Sequence, residues 1–411
     1  MSKQMCDVAV VGGGPAGSAT ALFLARAGYD VVLFDRDAAP RPKPCGEYLT
    51  PGAVGLLRDD LGVLPQMLMQ GAVPITRENV VPQDGRAFGG DTAALACPRT
   101  VTDAVLRNAA NAAGARIVEN VSVRSFLQDD GRISGVQSRD KSGKIWDCHA
   151  RVTVGADGTR SLLARKMGVV RPVPRLQQVA LVGHFRYPGT CADVPGAVTM
   201  HLPADGSHAC CGVGAACGAD QTRNVNIVVP LSEAARMAGR REQYFAERLR
   251  VSFPQVWDQW RHSIPLGPLL SVPCFGHHTM RATDEGALLV GDAATFIHPF
   301  TGEGVFFALR GAQLAAQTID TALRAGDISR RMLQSYDAAR RRELLPRYRL
   351  CDAVQRIVHS PALLGLTGTT LRRSPSLTQS LLRAIGDLDR PRDLFTLPVL
   401  ARAFSPSSHA Y

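Results

Sequence analysis

The chain contains no apolar run near the roughly 18 to 20 residues that a membrane-spanning helix needs. Its first residues, Met1 to Cys6, lead into a β-branched stretch without the hydrophobic segment of a signal peptide. A membrane span is thereby excluded, and a cytoplasmic protein is the expectation. Ten cysteines occur, yet none form a C-x-x-C pair, and the ten histidines show no metal-ligand spacing. That removes the common zinc and dithiol signatures, so no metal is expected and buried reduced thiols are. Aromatics make up only 6% of the chain and are not interleaved with the basic residues. The net charge of +11, gathered late in Arg324, Arg330, Arg331, Arg340 to Arg342, Arg347 and Arg349, therefore reads as a solvated basic face and not as a nucleic-acid platform. Attraction of an anionic reductant, or peripheral contact with a membrane holding a lipid-like substrate, are its functional alternatives. There is no internal repeat and no low-complexity segment. At 411 residues, two structural units sharing an interface are expected.

What is present is highly specific. Asp7 to Val11 is a short strand that runs into Gly12-Gly13-Gly14-Pro15-Ala16-Gly17, an alanine-rich helical pattern follows to Gly28, and a second strand, Val31 to Phe34, ends in Asp35. Strand, Gly-x-Gly-x-x-Gly, helix, strand and acid make up the dinucleotide-binding unit. Gly12 permits the tight turn, Gly14 lets a pyrophosphate approach the backbone, and Gly17 allows helix and strand to pack closely. Pro15 and Ala16, within the loop, are candidate cofactor contacts, and Asp35, with Arg36 beside it, is placed to meet the ribose of an adenosine.

A second signature lies far downstream. Leu288 to Val290 reads as a strand that stops at Gly291-Asp292, and His298-Pro299-Phe300-Thr301-Gly302-Glu303-Gly304 then leads into a helix. An acid at a strand end accepts hydrogen bonds from sugar-like hydroxyls. Gly302 and Gly304 let backbone approach a flat ring and present free N–H groups at a helix N-terminus. Together these features point to FAD.

Between the two signatures the character of the chain changes twice. Residues 71–90 are broken by glycine and proline, a helix starts at Arg99 and stops at Gly114, and the turn at Asp140 to Gly143 joins two strands. From Val179 to Pro273 short strands follow one another: Ala180 to Phe185, Ala197 to Leu202, His208 to Val213 and Val225 to Val229, then a helix from Arg241 to Val251. Gly212-Val213-Gly214 has no helix after it and reads as sheet packing. The expectation is an α/β protein: a Rossmann-like FAD-binding domain (1–70, 91–175 and 275–325), an inserted, mostly antiparallel β-sheet substrate domain (71–90 and 176–274), and a C-terminal helical region (326–411).

With Gly12 to Gly17, Asp157-Gly158 and Gly291-Asp292 in this order, the chain resembles the flavoprotein monooxygenase superfamily, which includes aromatic hydroxylases, flavin halogenases and geranylgeranyl reductases. The resemblance covers roughly residues 5 to 325. It implies that Asp157 to Ser161 contacts FAD and, in some members, the reduced nicotinamide cofactor. It implies further that Arg99 approaches the flavin phosphate or ribityl portion, that Asp292 meets the ribityl–phosphate part, and that Pro299, Gly302, Glu303 and Gly304 lie beside the isoalloxazine. NAD(P)H is then a transient reductant, because no second complete nucleotide unit is present.

The resemblance separates three reactions in part. Halogenases of the superfamily carry Trp-x-Trp-x-Ile-Pro and a lysine; here Trp257 and Trp260 are three apart and lysine is absent between Lys43 and Lys141. Geranylgeranyl reductases are similar in Pro-Phe-Thr-Gly-Glu-Gly and in Lys43-Pro44-Cys45-Gly46, but normally line a prenyl tunnel with aromatics, where this chain has Val198 to Pro203. Natural-product hydroxylases are similar in Cys45-Gly46-Glu47 and in the strand around Asn224 to Ile227. The leading expectation is NAD(P)H- and O2-dependent hydroxylation of a phenolic or otherwise electron-rich, largely apolar small molecule. Reduction of isoprenoid or polyene double bonds is the alternative, and a non-catalytic flavin protein that binds a lipid-like ligand is the third reading.

The candidate catalytic residues are His298, as a base with an imidazole suited to neutral pH, Cys45 in a flavin-proximal loop, and Glu47. Each has a plainer reading: a packed loop histidine, a buried thiol and a surface carboxylate. His184 and His201, on substrate-domain strands, read as structural.

Overall fold

A computed structural model describes residues 4–187, 196–215, 222–297 and 301–396. The β-branched run near the N-terminus forms the strand Gln4–Val11, which pairs in parallel with Val31–Phe34 on one side and with Ile145–Gly155 on the other. Arg116–Val118 and Ala287–Leu289 extend this parallel sheet outward. Val8, Ala9, Val10, Val31, Val32 and Leu33 are fully buried. Burial on both faces explains why these strands read as unbroken apolar runs without polar alternation.

The chain leaves Gln4–Val11 for the helix Pro15–Arg26 and returns as Val31–Phe34, whereas Ile145–Gly155 reaches the opposite side of the same strand much later. The end of Gln4–Val11 is therefore a point where connections diverge, the place where open α/β sheets leave a crevice for ligands. The helices Pro15–Arg26, Arg99–Ala112 and Gly304–Ala325 pack into one core with the sheet, through Leu22, Leu106, Leu309 and Ile319. The hairpin expected at Asp140 to Gly143 joins Arg132–Asp140 to Ile145–Gly155. Both helix ends expected near 99 and 114 are where the spacing placed them.

Among the described residues the second sheet has ten strands and is antiparallel except where Ala197–His201 pairs with Val73–Val81. Its centre is the long strand Val170–Arg186, flanked by Thr222–Pro230 and Leu270–Thr279. On one face Val179, Leu181, Val225, Ile227 and Val229 pack against the helices Arg241–Ser252 and Pro254–Trp260. Burying such a side chain contributes about 1.5–3 kcal/mol. Trp257 and Trp260 both belong to this packing, so they serve as core. The other face carries Ala180, Val182, His184, Asn224, Asn226 and Val228, alternating with the core set as a strand requires.

The sheet takes in more chain than residues 71–90 and 176–274. Phe88–Ala96 runs past 90, Val170–Arg186 starts before 176, Leu270–Thr279 continues beyond 274, and Thr295–Phe296 adds an edge. The expected breaks follow changes in composition, whereas hydrogen-bonded ladders run on until a partner ends. Gly212 fits the sheet-packing reading: a β-carbon there would come within 2.9 Å of the Asn226 amide.

Beyond Ala325, among the described residues, four α-helices follow: Arg330–Glu343, Leu345–Val358, Pro361–Arg373 and Pro375–Ile385. The last is tied to the sheet by Gln379, whose amide accepts from Asp91 N at 3.2 Å and donates to Asp91 O at 2.8 Å. Among the described residues no helix is long and apolar enough to cross a membrane.

Candidate active site

The glycine loop does mechanically what its spacing implied. Gly12 has φ +105°, and a β-carbon on it would meet the Ala156 carbonyl at 2.5 Å. One on Gly17 would lie 1.9 Å from the Gly12 carbonyl oxygen. Gly14, the residue before the helix, faces open space, with nothing within 4 Å of an added β-carbon. Pro15 and Ala16 then start the helix, leaving first-turn N–H groups without intrahelical partners, a natural seat for an anion.

Asp35 lies at the end of the second strand, buried and already engaged. It accepts from Gly13 N at 2.7 Å, from Arg107 at 3.0 Å and from Asp37 N at 3.0 Å. Arg107 also donates to the Gly13 carbonyl at 3.0 Å, so this buried arginine braces both the loop and the acid. Sequence reasoning passed over it, since an arginine inside a helix carries no local signal. Arg36 is exposed and paired with Asp37, outside this arrangement.

A cationic cluster sits between the two glycine signatures. Arg99 is buried and makes a bidentate pair with Asp103, at 2.8 Å on both bonds. Burial opposes its charge, but Asp103 and Cys45 more than offset this and hold the guanidinium above its ordinary value. Lys43 is pushed down, first by the Arg99 charge and then by burial, against the pull of Asp292 and Asp103. Two cations in one enclosed place call for an anion. Beside Gly12, Asp157 accepts from Leu162 N at 2.7 Å, while its other oxygen is buried with no partner. Burial raises this carboxyl above its usual range.

At the second signature, Gly291 has φ +57° and Gly302 φ +72°. A β-carbon on Gly302 would strike the Tyr48 ring at 2.5 Å, whereas one on Gly304 would meet nothing within 4 Å. Asp292, in the helical turn Gly291–Ala293 that follows the strand, is half-buried. Glu303 is turned into the protein: Cys351 donates to it at 2.7 Å, and its second oxygen has no partner. Burial, then the charge of Asp387, pushes its carboxyl well above the ordinary range. His298 and Pro299 lie outside the described residues.

The third group joins the two sheets. Glu47 adopts φ +58°, a strained conformation for a non-glycine residue that costs on the order of 1–3 kcal/mol. That strain turns its carboxylate inward, where it is buried and 2.9 Å from His184 Nε2. Asn224 donates to the Cys45 carbonyl at 2.8 Å and lies 3.5 Å from His184 Nε2, and Asn226 donates to Asn224 at 3.0 Å. The Cys45 sulfur accepts from Glu47 N at 3.3 Å. The hydrogen bond to Glu47 raises His184 above the ordinary imidazole value, burial opposing it only in part. Glu47 is thus no surface carboxylate. His184, read from sequence as structural, is its partner.

A family model described as FAD binding domain matches residues 5–344. The chain belongs to the FAD binding domain family. It is a FAD-dependent oxidoreductase, as the flavin enzymes of that family are. Two similar curated proteins span nearly the same length. The menaquinone reductase of Mycolicibacterium smegmatis is 28% identical, over 94% of this chain and 93% of its own. Digeranylgeranylglycerophospholipid reductase 2 of Methanopyrus kandleri is 29% identical, over 80% of this chain and 81% of its own. Among solved structures, the flavin-dependent brominase Bmp2 superposes with a TM-score of 0.82 at 20% identity, covering 95% of this chain and 97% of its own, which speaks for a shared fold.

For a FAD-binding family member the observed cradle is well suited. Open approaches at Gly14 and Gly304, paired cations at Lys43 and Arg99, and an unpartnered buried oxygen on Asp157 are what a dinucleotide with phosphates and hydroxyls would use.

Proposed function

We propose that this protein reduces carbon–carbon double bonds in a prenylated or polyene substrate. In this reading FAD is held by the Gly12–Gly17 loop, Lys43, Arg99, Asp157, Asp292 and the backbone of Gly302 to Gly304, and the second sheet faces the substrate. The observation that carries the reading is the His184–Glu47 pair: an imidazole biased toward its protonated form, 2.9 Å from a buried carboxylate. Saturating a double bond needs a hydride at one carbon and a proton at the other. FAD, reduced by NAD(P)H, supplies the hydride chemistry when bound. The chain must supply the proton, and His184 is the group to give it in this reading, with Glu47 stabilising the cation beforehand.

Hydroxylation of a phenol makes the opposite demand, a base that removes a proton, and an imidazole already biased to the protonated state serves that poorly. The end-to-end similarity to a menaquinone reductase supports the same choice. Hydroxylation is the second reading, favoured by Val198, Thr199, Met200, His201 and Leu202, a strand without the aromatic side chains of a prenyl tunnel.

The test is anaerobic turnover. FAD-loaded protein, reduced with dithionite, is mixed with a geranylgeranyl glycerophospholipid, and products are weighed by mass spectrometry. Gain of two hydrogens without oxygen is expected. A product that gains one oxygen atom, formed only in air, would replace this reading with hydroxylation. Binding with no turnover and no NAD(P)H oxidation would favour the non-catalytic alternative.

A further inference from the structure

A cavity of about 610 Å3 opens away from the glycine loops, between the start of Val170–Arg186 and the end of Leu345–Val358. Its wall includes Arg175, Gln178, His208, Gln355, Arg356 and His359. Gln178 is 5% exposed and Gln355 3%, and the amide oxygen of each is buried with no hydrogen-bond partner. Orphaned buried acceptors of this kind cost roughly 1–3 kcal/mol each unless something donates to them. Arg175 and Arg356 both pair with a single carboxylate, Asp352, which leaves one positive charge uncompensated beside the cavity. His208 and His359 meet edge to face at 5.4 Å.

The cavity is related to the candidate active site by strand geometry. Gln178 and His184 are six residues apart on one unbroken ladder, so they share a face at a separation of about 20 Å. Between them on that face stand Ala180 and Val182, and beside these Val228 and Cys210, in an apolar cluster with Met200, Val272 and Phe296. One face of the sheet thus carries a proton donor at one end, apolar side chains in the middle, and a cationic, amide-lined cavity at the other.

We propose that this cavity binds a phosphate ester bearing a free hydroxyl. The phosphate meets Arg175 and Arg356, and the hydroxyl donates to Gln178 or Gln355. The assignment stands on the cavity alone, because Ala180, Val182 and Val228, between it and His184, are packed core. A neutral quinone head, which offers acceptors only, leaves both glutamine oxygens unsatisfied.

Calorimetric titration of the FAD-loaded protein tests this without turnover. Glycerol phosphate is expected to bind the native protein and to bind R356A and Q355L roughly tenfold or more weakly. Inorganic phosphate, which lacks the carbinol hydroxyl, is expected to bind less tightly than glycerol phosphate. R356A changes an exposed side chain, so it reports even if Q355L fails to fold. Equal affinity of glycerol phosphate for native protein and R356A overturns the proposal, as does equal affinity of the native protein for the two ligands. Because no product is measured, these results stand apart from the choice between reduction and hydroxylation.

Discussion

The end of the parallel sheet and the face of the antiparallel sheet meet at one site, yet they are built on different logic. At the parallel sheet, function resides in backbone: Gly12, Gly14 and Gly17 work by what they lack, and their spacing follows from one turn between one strand and one helix. At the antiparallel face it resides in side chains brought together from Glu47, His184 and Asn224, which are distant in sequence and adjacent only because three pieces of chain converge. At Gly12 and Gly17 the first arrangement tolerates almost no added volume, and it is specified locally. The second is specified by register, because a one-residue slip of Val170–Arg186 would exchange His184 for Gly183 or Phe185.

Breaking the first region should have the larger effect. G17V places carbon about where the Gly12 carbonyl lies, so the protein is expected to purify without flavin, read from the visible absorbance per mole of protein. G212V in the second sheet, which presses only on the Asn226 side chain, should keep its flavin. Next in size, R99A leaves Asp103 buried and unpaired. It should lose about 3–5 kcal/mol in denaturant unfolding and weaken flavin binding as well. L181A, in the core of the second sheet, should lose about 2–5 kcal/mol with flavin affinity unchanged, which separates the two regions by readout.

The His184–Glu47 pair sharpens the comparison further. H184N is expected to cut turnover by roughly 100-fold or more while flavin content stays constant. Activity should fall as pH rises through the elevated His184 value, since the proton donor is lost there. E47Q removes the anion that supports the imidazolium, so the fall should move to lower pH. An unmoved profile in E47Q would show that another group titrates.

The smallest effect concerns Asp387, which burial pushes up to about 7 despite Arg347 and Thr50. Its folded value lies above its unfolded one, so the native state holds a proton that the unfolded state gives up. Stability should therefore decline as pH rises from the ordinary aspartate range to about 7. D387N should flatten that decline in thermal melts.

How much could be read in advance follows the same division. The turn and close packing of the glycine loop, the helix from Arg99 to near Gly114 and the strands between Val179 and Val229 were legible, because each depends on a short stretch of pattern. Arg107 and Lys43 were not, because a buried cation is recognised only by what surrounds it. Glu47 was equally balanced between surface and site, since nothing in Cys-Gly-Glu-Tyr announces a positive φ. His184 read as structural because its partner is 137 residues away. The sheet boundaries drifted for a related reason: strand ends depend on which neighbour is present to accept hydrogen bonds.

The most direct test of the central claim is anaerobic reduction of a prenylated substrate in deuterium oxide. If His184 delivers the proton, native protein should return product carrying solvent-derived deuterium at the saturated carbons, since the flavin hydride also exchanges with solvent, and H184N should form that product far more slowly with its flavin still bound. Absence of any saturated product from native, flavin-loaded protein, together with an oxygenated product in air, would contradict the account.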